Sequence, residues 1–184
     1  MAKVAVVFHS GYGHTLRMAQ AVAEGANAEL VAIDAEGNVP EAGWEILAGA
    51  DAIIFGSPTY MANVSWQFKK FADASSKQWY VQAWKDKLAA GFTNSASLNG
   101  DKLATLNSLF ALSMQHGMIW VSQGILPSNA KAMTRKDINS IGSYSGAMAQ
   151  SPSDGGAGDM FSGDLDTAKL FGKRVADVAA KFHG

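Results

Sequence analysis

The sequence of 184 residues contains no cysteine, which excludes disulfide bonds and thiolate ligands for a metal. It also lacks any apolar run near the roughly 18 residues that a membrane-spanning helix requires. The first residues, Met1 to Val4, enter a predicted strand directly and show neither the basic region nor the apolar segment of a signal peptide. We therefore expect a cytoplasmic protein without a membrane-inserted segment.

The sequence also has no excess of positive or negative charge. The chain has 15 lysines and arginines against 16 aspartates and glutamates, a formal net charge of -1 at pH 7. Such a balance provides no strong field for binding nucleic acid or a membrane surface. The four histidines include no pair at helical spacing with a carboxylate, so no metal site is predicted. The length fits a single domain over residues 1–184.

Five short apolar runs, at residues 4–8, 30–33, 52–56, 88–92 and 118–121, indicate strands. The segments between them carry apolar residues every three or four positions, as helices that pack on a sheet do. The clearest helices begin at Thr15 and at about Ser162. Two further apolar stripes are predicted, one formed by Val64, Phe68 and Phe71 and the other by Leu103, Leu106, Phe110 and Met114. This alternation predicts a parallel sheet with helices on both faces.

The first strand ends in a segment rich in glycine, serine and threonine, immediately before the first helix. Backbone N–H groups and hydroxyls of such a turn converge on an anion that the helix dipole also favours. The segment lacks the lysine of a Walker A motif and the third glycine of a dinucleotide fingerprint, which indicates a single phosphate group. The candidate phosphate ligands are Ser10, Gly11, Tyr12, Gly13, His14 and Thr15. The alternative is an ordinary turn in which Ser10 and Thr15 only cap the helix.

A phosphate loop after the first strand also bears on the topology. In open α/β sheets, ligands bind at the carboxyl ends of the strands where the strand order reverses. We therefore predict a three-layer α/β flavodoxin-like fold with a five-stranded parallel sheet in the order 2-1-3-4-5. The carboxyl ends of the first, third and fourth strands then face one rim.

Two further loops are expected at that rim. The loop after the third strand offers backbone groups and an aromatic ring to a flat heterocycle. The loop after the fourth strand is rich in small polar residues that allow a ring to approach closely. The candidate ring contacts are Pro58, Thr59, Tyr60, Met61 and Ala62 in the former and Thr93, Asn94, Ser95, Ala96 and Ser97 in the latter. A phosphate and a polar planar ring together indicate flavin mononucleotide (FMN).

These segments resemble the flavodoxin-like, FMN-dependent NAD(P)H:quinone oxidoreductases of the WrbA family. The resemblance is carried by residues 9–15, 53–60 and 116–118, with further similarity at 21–25 and 142–146. It implies that the phosphate of FMN binds at Ser10 to Thr15 and that the isoalloxazine lies between the two later loops. It also implies NAD(P)H as co-substrate, a quinone as acceptor, and His116 as a catalytic residue near the flavin.

Three differences from the family pattern are visible, and the first is that residues 93–97 lack the glycine and threonine pattern usual in the third loop. Tyr60 stands where many members carry an arginine, and only residues 35–49 join the second and third strands, where the family has a longer insertion that helps to build its tetramer.

Trp79 and Trp84 flank Tyr80 before the fourth strand, and because such aromatic clusters often meet a partner subunit, we predict a homo-oligomer, either a dimer or a tetramer. Residues 123–161 have no clear periodicity, and we expect them to cover the flavin edge as a lid completed by a neighbouring subunit.

The sequence therefore predicts an enzyme that transfers electrons from NAD(P)H, through noncovalently bound FMN, to a quinone or a similar acceptor. Two alternatives stay open. One is a flavodoxin-type electron carrier between protein partners, although the balanced charge does not supply the acidic docking surface of short-chain flavodoxins. The other is a regulatory protein on the same fold that binds flavin weakly, because fold does not fix function.

Overall fold

The computed structural model describes residues 2–183. Seven strands and six α-helices alternate along this part of the chain, with one additional turn of 3₁₀ helix at Ala157–Asp159. The strands are β1 (Val4–His9), β2 (Glu29–Ile33), β3 (Ala52–Tyr60), β4 (Asn63–Val64), β5 (Leu88–Ser95), β6 (Ile119–Trp120) and β7 (Ala147–Gln150). The helices are α1 (His14–Ala26), α2 (Glu41–Gly49), α3 (Trp66–Ala74), α4 (Ser76–Tyr80), α5 (Lys102–Gln115) and α6 (Ser162–His183). None of the helices within residues 2–183 is long and apolar enough to cross a membrane.

The strand order confirms the predicted three-layer flavodoxin-like fold. The sheet runs β2-β1-β3-β5-β6, and all four neighbouring pairs on this path are parallel. With β5 as the fourth and β6 as the fifth strand, this is the predicted order 2-1-3-4-5. The order reverses between β1 and β3, so the carboxyl ends of these two strands mark the expected ligand-binding rim.

The fifth strand is divided into two pieces, which the sequence did not predict. β6 pairs with the start of β5, where Leu88 lies opposite Ile119, and β7 pairs with its end, where Phe92 lies opposite Ala147. Residues 121–146 leave the sheet between the two pieces and return to it. The predicted 123–161 lid is therefore not one continuous loop. Its portion around Gly146 packs against the middle of β5, where a β-carbon on Gly146 would lie 2.2 Å from the carbonyl oxygen of Gly91.

The central strands are buried on both faces, and alternate residues enter two separate cores. Val4, Val6 and Phe8 of β1 pack with residues of α1 and α6, whereas Ala5 and Val7 pack with residues of α2, α3 and α5. The second core contains a stack of aromatic rings around Trp84, which is fully buried.

The prediction that one apolar stripe of α5 faces the core is wrong for three of its four residues. Leu103, Phe110 and Met114 are exposed, and only Leu106 of that stripe is buried. The buried face of α5 instead consists of Lys102, Thr105, Leu106, Leu109 and Ser113. Polar residues occupy this face because each finds a hydrogen-bond partner there, so hydrophobic periodicity alone misplaces it.

Strands β3 and β5 extend beyond their apolar cores into the segments that were predicted to be loops. β3 continues to Tyr60 because a two-residue hairpin turn, Met61-Ala62, returns the chain as β4. Both turn residues have positive φ, 46° and 62°, a conformation that costs a non-glycine residue about 1–3 kcal/mol. β5 continues to Ser95 because β7 pairs with its last four residues. Pro58 to Tyr60 and Thr93 to Ser95 are therefore strand residues, held more rigidly than loop residues.

Candidate functional site

The turn between β1 and α1 is organised by one serine side chain. Oγ of Ser10 accepts hydrogen bonds from the backbone N–H groups of Gly13 and Leu16, both at 3.1 Å. Gly13 has a φ of 88°, the left-handed region that favours glycine, and precedes the first residue of α1. The turn thereby curls around the start of the helix.

Several backbone donors of this turn have no acceptor within residues 2–183. They are the N–H groups of Gly11, Tyr12, His14 and Thr15. The first turn of α1 also contains no acidic residue that would repel an anion. Unpaired N–H groups at the positive end of a helix form a binding site for phosphate. The residues present therefore fit the single phosphate of FMN.

A buried hydrogen-bond chain connects the phosphate loop to the end of β5. The hydroxyl of Thr15 donates to Oδ1 of Asn94 at 2.7 Å, and Nδ2 of Asn94 donates to Oγ of Ser151 at 2.9 Å. Nε2 of His14 also donates to the carbonyl oxygen of Gly155 at 3.1 Å. The segment after β7 thus lies against the phosphate loop. The structure brings the first and third predicted loops together as expected.

The loop after β3 reaches the same place through an aromatic ring. The hydroxyl of Tyr60 lies over Gly11, where a β-carbon would be 2.7 Å from its oxygen. The rings of Tyr60 and Tyr12 meet edge to face with centroids 6.4 Å apart. Burial, and then the neighbouring Tyr12, raise the pKa of Tyr60. Met61 beside it is 98% exposed, and Ala62 is also exposed, so this turn offers an apolar surface at the rim.

Three predicted ring contacts, Pro58, Thr59 and Thr93, are buried in the protein interior. The hydroxyl of Thr59 forms hydrogen bonds of 2.8 Å with the hydroxyls of both Thr93 and Thr105. Pro58, Thr59 and Thr93 can contact a ring at the rim only through their backbone. Ala96 and Ser97, by contrast, are exposed beyond the end of β5.

Comparison with known proteins identifies the family of this chain. The family model for NADPH-dependent FMN reductases matches residues 5–132, which include β1 to β6 and the three predicted loops. The chain belongs to this family. The predicted resemblance to the flavodoxin-like WrbA family is also confirmed, because the crystal structure of a WrbA-like protein superposes on this chain.

Three relatives illustrate the range of the family. The chain is 57% identical over 183 residues to "Flavodoxin FldP" of Pseudomonas aeruginosa, and the alignment covers 100% of both chains. It is 35% identical to an "NAD(P)H dehydrogenase (quinone)" of Archaeoglobus fulgidus, covering 98% of this chain and 99% of that one. The crystal structure of a flavodoxin, WrbA-like protein from Agrobacterium tumefaciens superposes with a TM-score of 0.83 at 56% identity, covering 98% and 99%.

The structure does not bring His116 to the rim that carries the three predicted loops. His116 follows α5 and precedes β6, whose Ile119 lies opposite Leu88 at the amino end of β5. Its ring lies 4.4 Å from that of Trp84, and its Nε2 is 2.9 Å from Oγ of Ser75. Because the Ser75 hydroxyl donates to the carbonyl of Ala72, Nε2 of His116 is the donor in this pair. His116 thus packs at the edge opposite the phosphate loop, so the expected catalytic role loses its geometric basis.

Sequence reasoning missed several residues that the structure places at the rim. Ser151 and Gly155 lie in a glycine-rich stretch that was predicted only as a loop, and their contacts depend on the return of the chain through β7. Lys102 supports the segment after β5 from within the protein. A lysine at the start of a helix normally indicates a solvated position, so no sequence signal identifies it. Among residues 2–183, no group of three or more potential metal ligands occurs.

Proposed function

We propose that this protein is an FMN-dependent oxidoreductase that transfers electrons from NAD(P)H to quinones or similar small acceptors. The observation that carries the proposal is the set of four unpaired N–H groups around Gly13, tied by Thr15 and Asn94 to the third loop. We infer from this arrangement that the phosphate and the ring of FMN bind at one rim. Bound FMN would supply the chemistry, which is hydride transfer from the nicotinamide and electron transfer to the acceptor.

The residues of the chain bind and orient the cofactor. The N–H groups at the start of α1 hold the phosphate, with Ser10 fixing the curl of the turn. Tyr60 and Met61 would hold the ring on one side, and the segment from Ser95 to Ser97 would hold it on the other. The pairing of Thr59 with Val64 and of Tyr60 with Asn63 closes this hairpin, so the strained turn at Met61 and Ala62 is held by the strands on either side of it.

NAD(P)H and quinones are proposed as substrates on two grounds. A relative that is 35% identical over nearly the whole chain is named an NAD(P)H dehydrogenase (quinone). The net charge of -1 supplies no strong overall negative field for attracting a protein partner, whereas a small-molecule acceptor needs none. A catalytic side chain is not required, because the cofactor carries the chemistry.

The test is steady-state oxidation of NADH and of NADPH by the FMN-loaded protein, with benzoquinone as acceptor. We expect quinone-dependent turnover that disappears in the Ser10→Glu variant, whose carboxylate occupies the phosphate position. Retained helical circular dichroism in that variant is the control for folding. Bound FMN without turnover of either nucleotide would overturn the proposal.

A second candidate function is a flavodoxin-type electron carrier. It is favoured by the relative of 57% identity that is named Flavodoxin FldP. A carrier would exchange electrons with a protein reductase and show no direct oxidation of NAD(P)H. The turnover assay therefore separates the two functions.

We also propose that the protein forms a homo-oligomer, a dimer or a tetramer. Support comes from a groove of about 790 Å³ between α3, α4 and α5, which is lined by the exposed rings of Trp66 and Trp79. Large exposed aromatic residues are typical of protein interfaces. Sedimentation of the FMN-loaded protein tests this point, and a monomer at all concentrations would contradict it.

A further inference from the structure

Lys102 is an unusual residue in this fold because it is a lysine with 0% exposure at the first position of a helix. Fully buried lysines are rare unless they are paired, and the positive end of a helix disfavours a cation. The free-energy cost of burying its ammonium group must therefore be offset by hydrogen-bond partners. Those partners come from the segment that follows β5, at the rim of the sheet.

The ammonium group of Lys102 donates three hydrogen bonds to this segment. The acceptors are Oγ of Ser95 at 2.9 Å, the carbonyl oxygen of Ser97 at 2.7 Å and the carbonyl oxygen of Leu98 at 2.9 Å. The ammonium thereby uses all three of its N–H donors. The segment from Ser95 to Leu98 is wrapped around the buried amine.

The direction of these two carbonyl groups determines where the neighbouring N–H groups point. In a planar trans peptide, the C=O of one residue and the N–H of the next point in opposite directions. Since the carbonyls of Ser97 and Leu98 face Lys102, the N–H groups of Leu98 and Asn99 face away from it. Neither has an acceptor within residues 2–183, and both residues are exposed. Lys102 therefore orders a pair of free donors on the outer side of the segment.

The pKa of Lys102 depends on its burial and on two charged neighbours. Burial lowers the pKa of Lys102 to about 8, the carboxylate of Asp164 opposes this shift, and Arg135 adds to it. Asp164 lies in the first turn of α6, where it binds Arg135 and accepts the N–H of Gln150 at 2.8 Å. The ion pair of Arg135 and Asp164 is therefore close enough to Lys102 to influence its charge.

We propose that Lys102 is a positioning residue, which holds the segment after β5 so that the N–H groups of Leu98 and Asn99 bind the oxygen-bearing edge of the isoalloxazine. This inference rests on the proposed FMN function. The reduced flavin carries its negative charge on that edge, so the two donors and the nearby ammonium would favour the reduced form. Lys102 would then affect both the affinity for the ring and its midpoint potential.

The experiment compares the Lys102→Met variant with a matched control, Lys87→Met. Lys87 also donates to backbone carbonyls, those of Ala48 and Ala50, and burial also lowers its pKa, but it lies at the opposite edge of the sheet. FMN and riboflavin are titrated into each apoprotein. We expect Lys102→Met to weaken both ligands by the same factor, about tenfold or more, because the lost contacts involve the ring and not the phosphate. Lys87→Met should leave both affinities within twofold of the wild type.

The midpoint potential supplies a second readout, which a purely structural role would not move in a set direction. Bound FMN should become harder to reduce in Lys102→Met, whereas Lys87→Met should retain the wild-type potential. If Lys102→Met does not fold, Lys102→Gln keeps a polar amide at the position and should show smaller changes in the same directions. Unchanged affinity and potential in a folded variant would overturn the inference. Failure of the wild type to bind FMN would overturn the proposed function instead.

Discussion

The hydroxyl group of Thr15 donates a hydrogen bond of 2.7 Å to Oδ1 of Asn94, across 79 positions of the sequence. Thr15 lies in the first turn of α1, and Asn94 lies near the carboxyl end of β5, with both side chains buried. This bond fixes the distance between the phosphate loop and the loop proposed to hold the ring. A cofactor that binds both loops therefore meets a preformed site.

Replacing Thr15 by valine tests the importance of this bond. Thr15→Val removes the donor and leaves Oδ1 of Asn94 unpaired in the interior, a loss of about 1–3 kcal/mol. We expect an FMN dissociation constant about tenfold higher, measured by quenching of flavin fluorescence. The matched control is Ser113→Ala, which also removes a buried hydroxyl but only from a bond to Leu109 on α5. Equal effects of the two substitutions would contradict the assignment.

Gly13 provides a second test, because its φ of 88° positions the N–H groups that follow it. A β-carbon there would make only an ordinary contact, 3.6 Å from Ala157, so Gly13→Ala introduces backbone strain without a clash. We expect weaker FMN binding together with a loss of about 1–2 kcal/mol in stability. Gly142→Ala is the control, with a φ of 77° and a nearest contact of 3.9 Å. It should lose similar stability while FMN affinity is retained, and a matching loss of affinity would count against the phosphate loop.

The sheet order could be predicted because buried parallel strands have continuous apolar runs and right-handed connections leave few topologies. The division of the fifth strand into β6 and β7 could not be predicted from the sequence. Ile119 and Trp120 look like a complete short strand, and the later piece, Ala147–Gln150, follows residues 121–146 without any periodic signal. Its pairing with Phe92 to Ser95 is a long-range contact that local sequence does not encode.

The phosphate loop of the candidate site could be predicted from the sequence, whereas the directions of several side chains could not. Glycine and hydroxyl residues after β1 identify the phosphate loop because their chemistry is local. The inward direction of Thr59 and Thr93 depends on Thr105, a residue on another element. The location of His116 depends on the direction of α5, which carries the chain from the rim to the opposite edge of the sheet.

A substitution at His116 distinguishes a packing role from a catalytic one. His116→Phe keeps an aromatic ring against Trp84 and removes Nδ1, which is buried without a hydrogen-bond partner. The lost bond to Ser75 and the removed unpaired acceptor offset each other, so we expect stability within about 1 kcal/mol of the wild type. FMN affinity and kcat/KM for NAD(P)H oxidation should remain within twofold. A loss of activity of a hundredfold or more in a folded variant would restore a catalytic role.

The same variant should change the pH dependence of stability. Burial lowers the pKa values of His9 and His116 below their ordinary value of 6.5. Below about pH 6.5 the unfolded chain then binds more protons than the folded protein, so stability falls as the pH drops through that range. Urea unfolding at pH 7.5 and pH 5.5 should show this decrease, and His116→Phe should show a smaller one. Identical decreases in both proteins would contradict the contribution of His116.

The proposed function depends most directly on one phosphate group of FMN bound at the turn from Ser10 to Thr15. The decisive measurement is the affinity of the apoprotein for FMN and for riboflavin, which differ only in that phosphate, in the wild type and in Ser10→Glu. We predict that the wild type binds FMN about a hundredfold or more tightly than riboflavin, equivalent to about 2.7 kcal/mol. Ser10→Glu should remove this preference by placing a carboxylate against the phosphate. Equal affinities of the wild type for the two flavins would contradict the account.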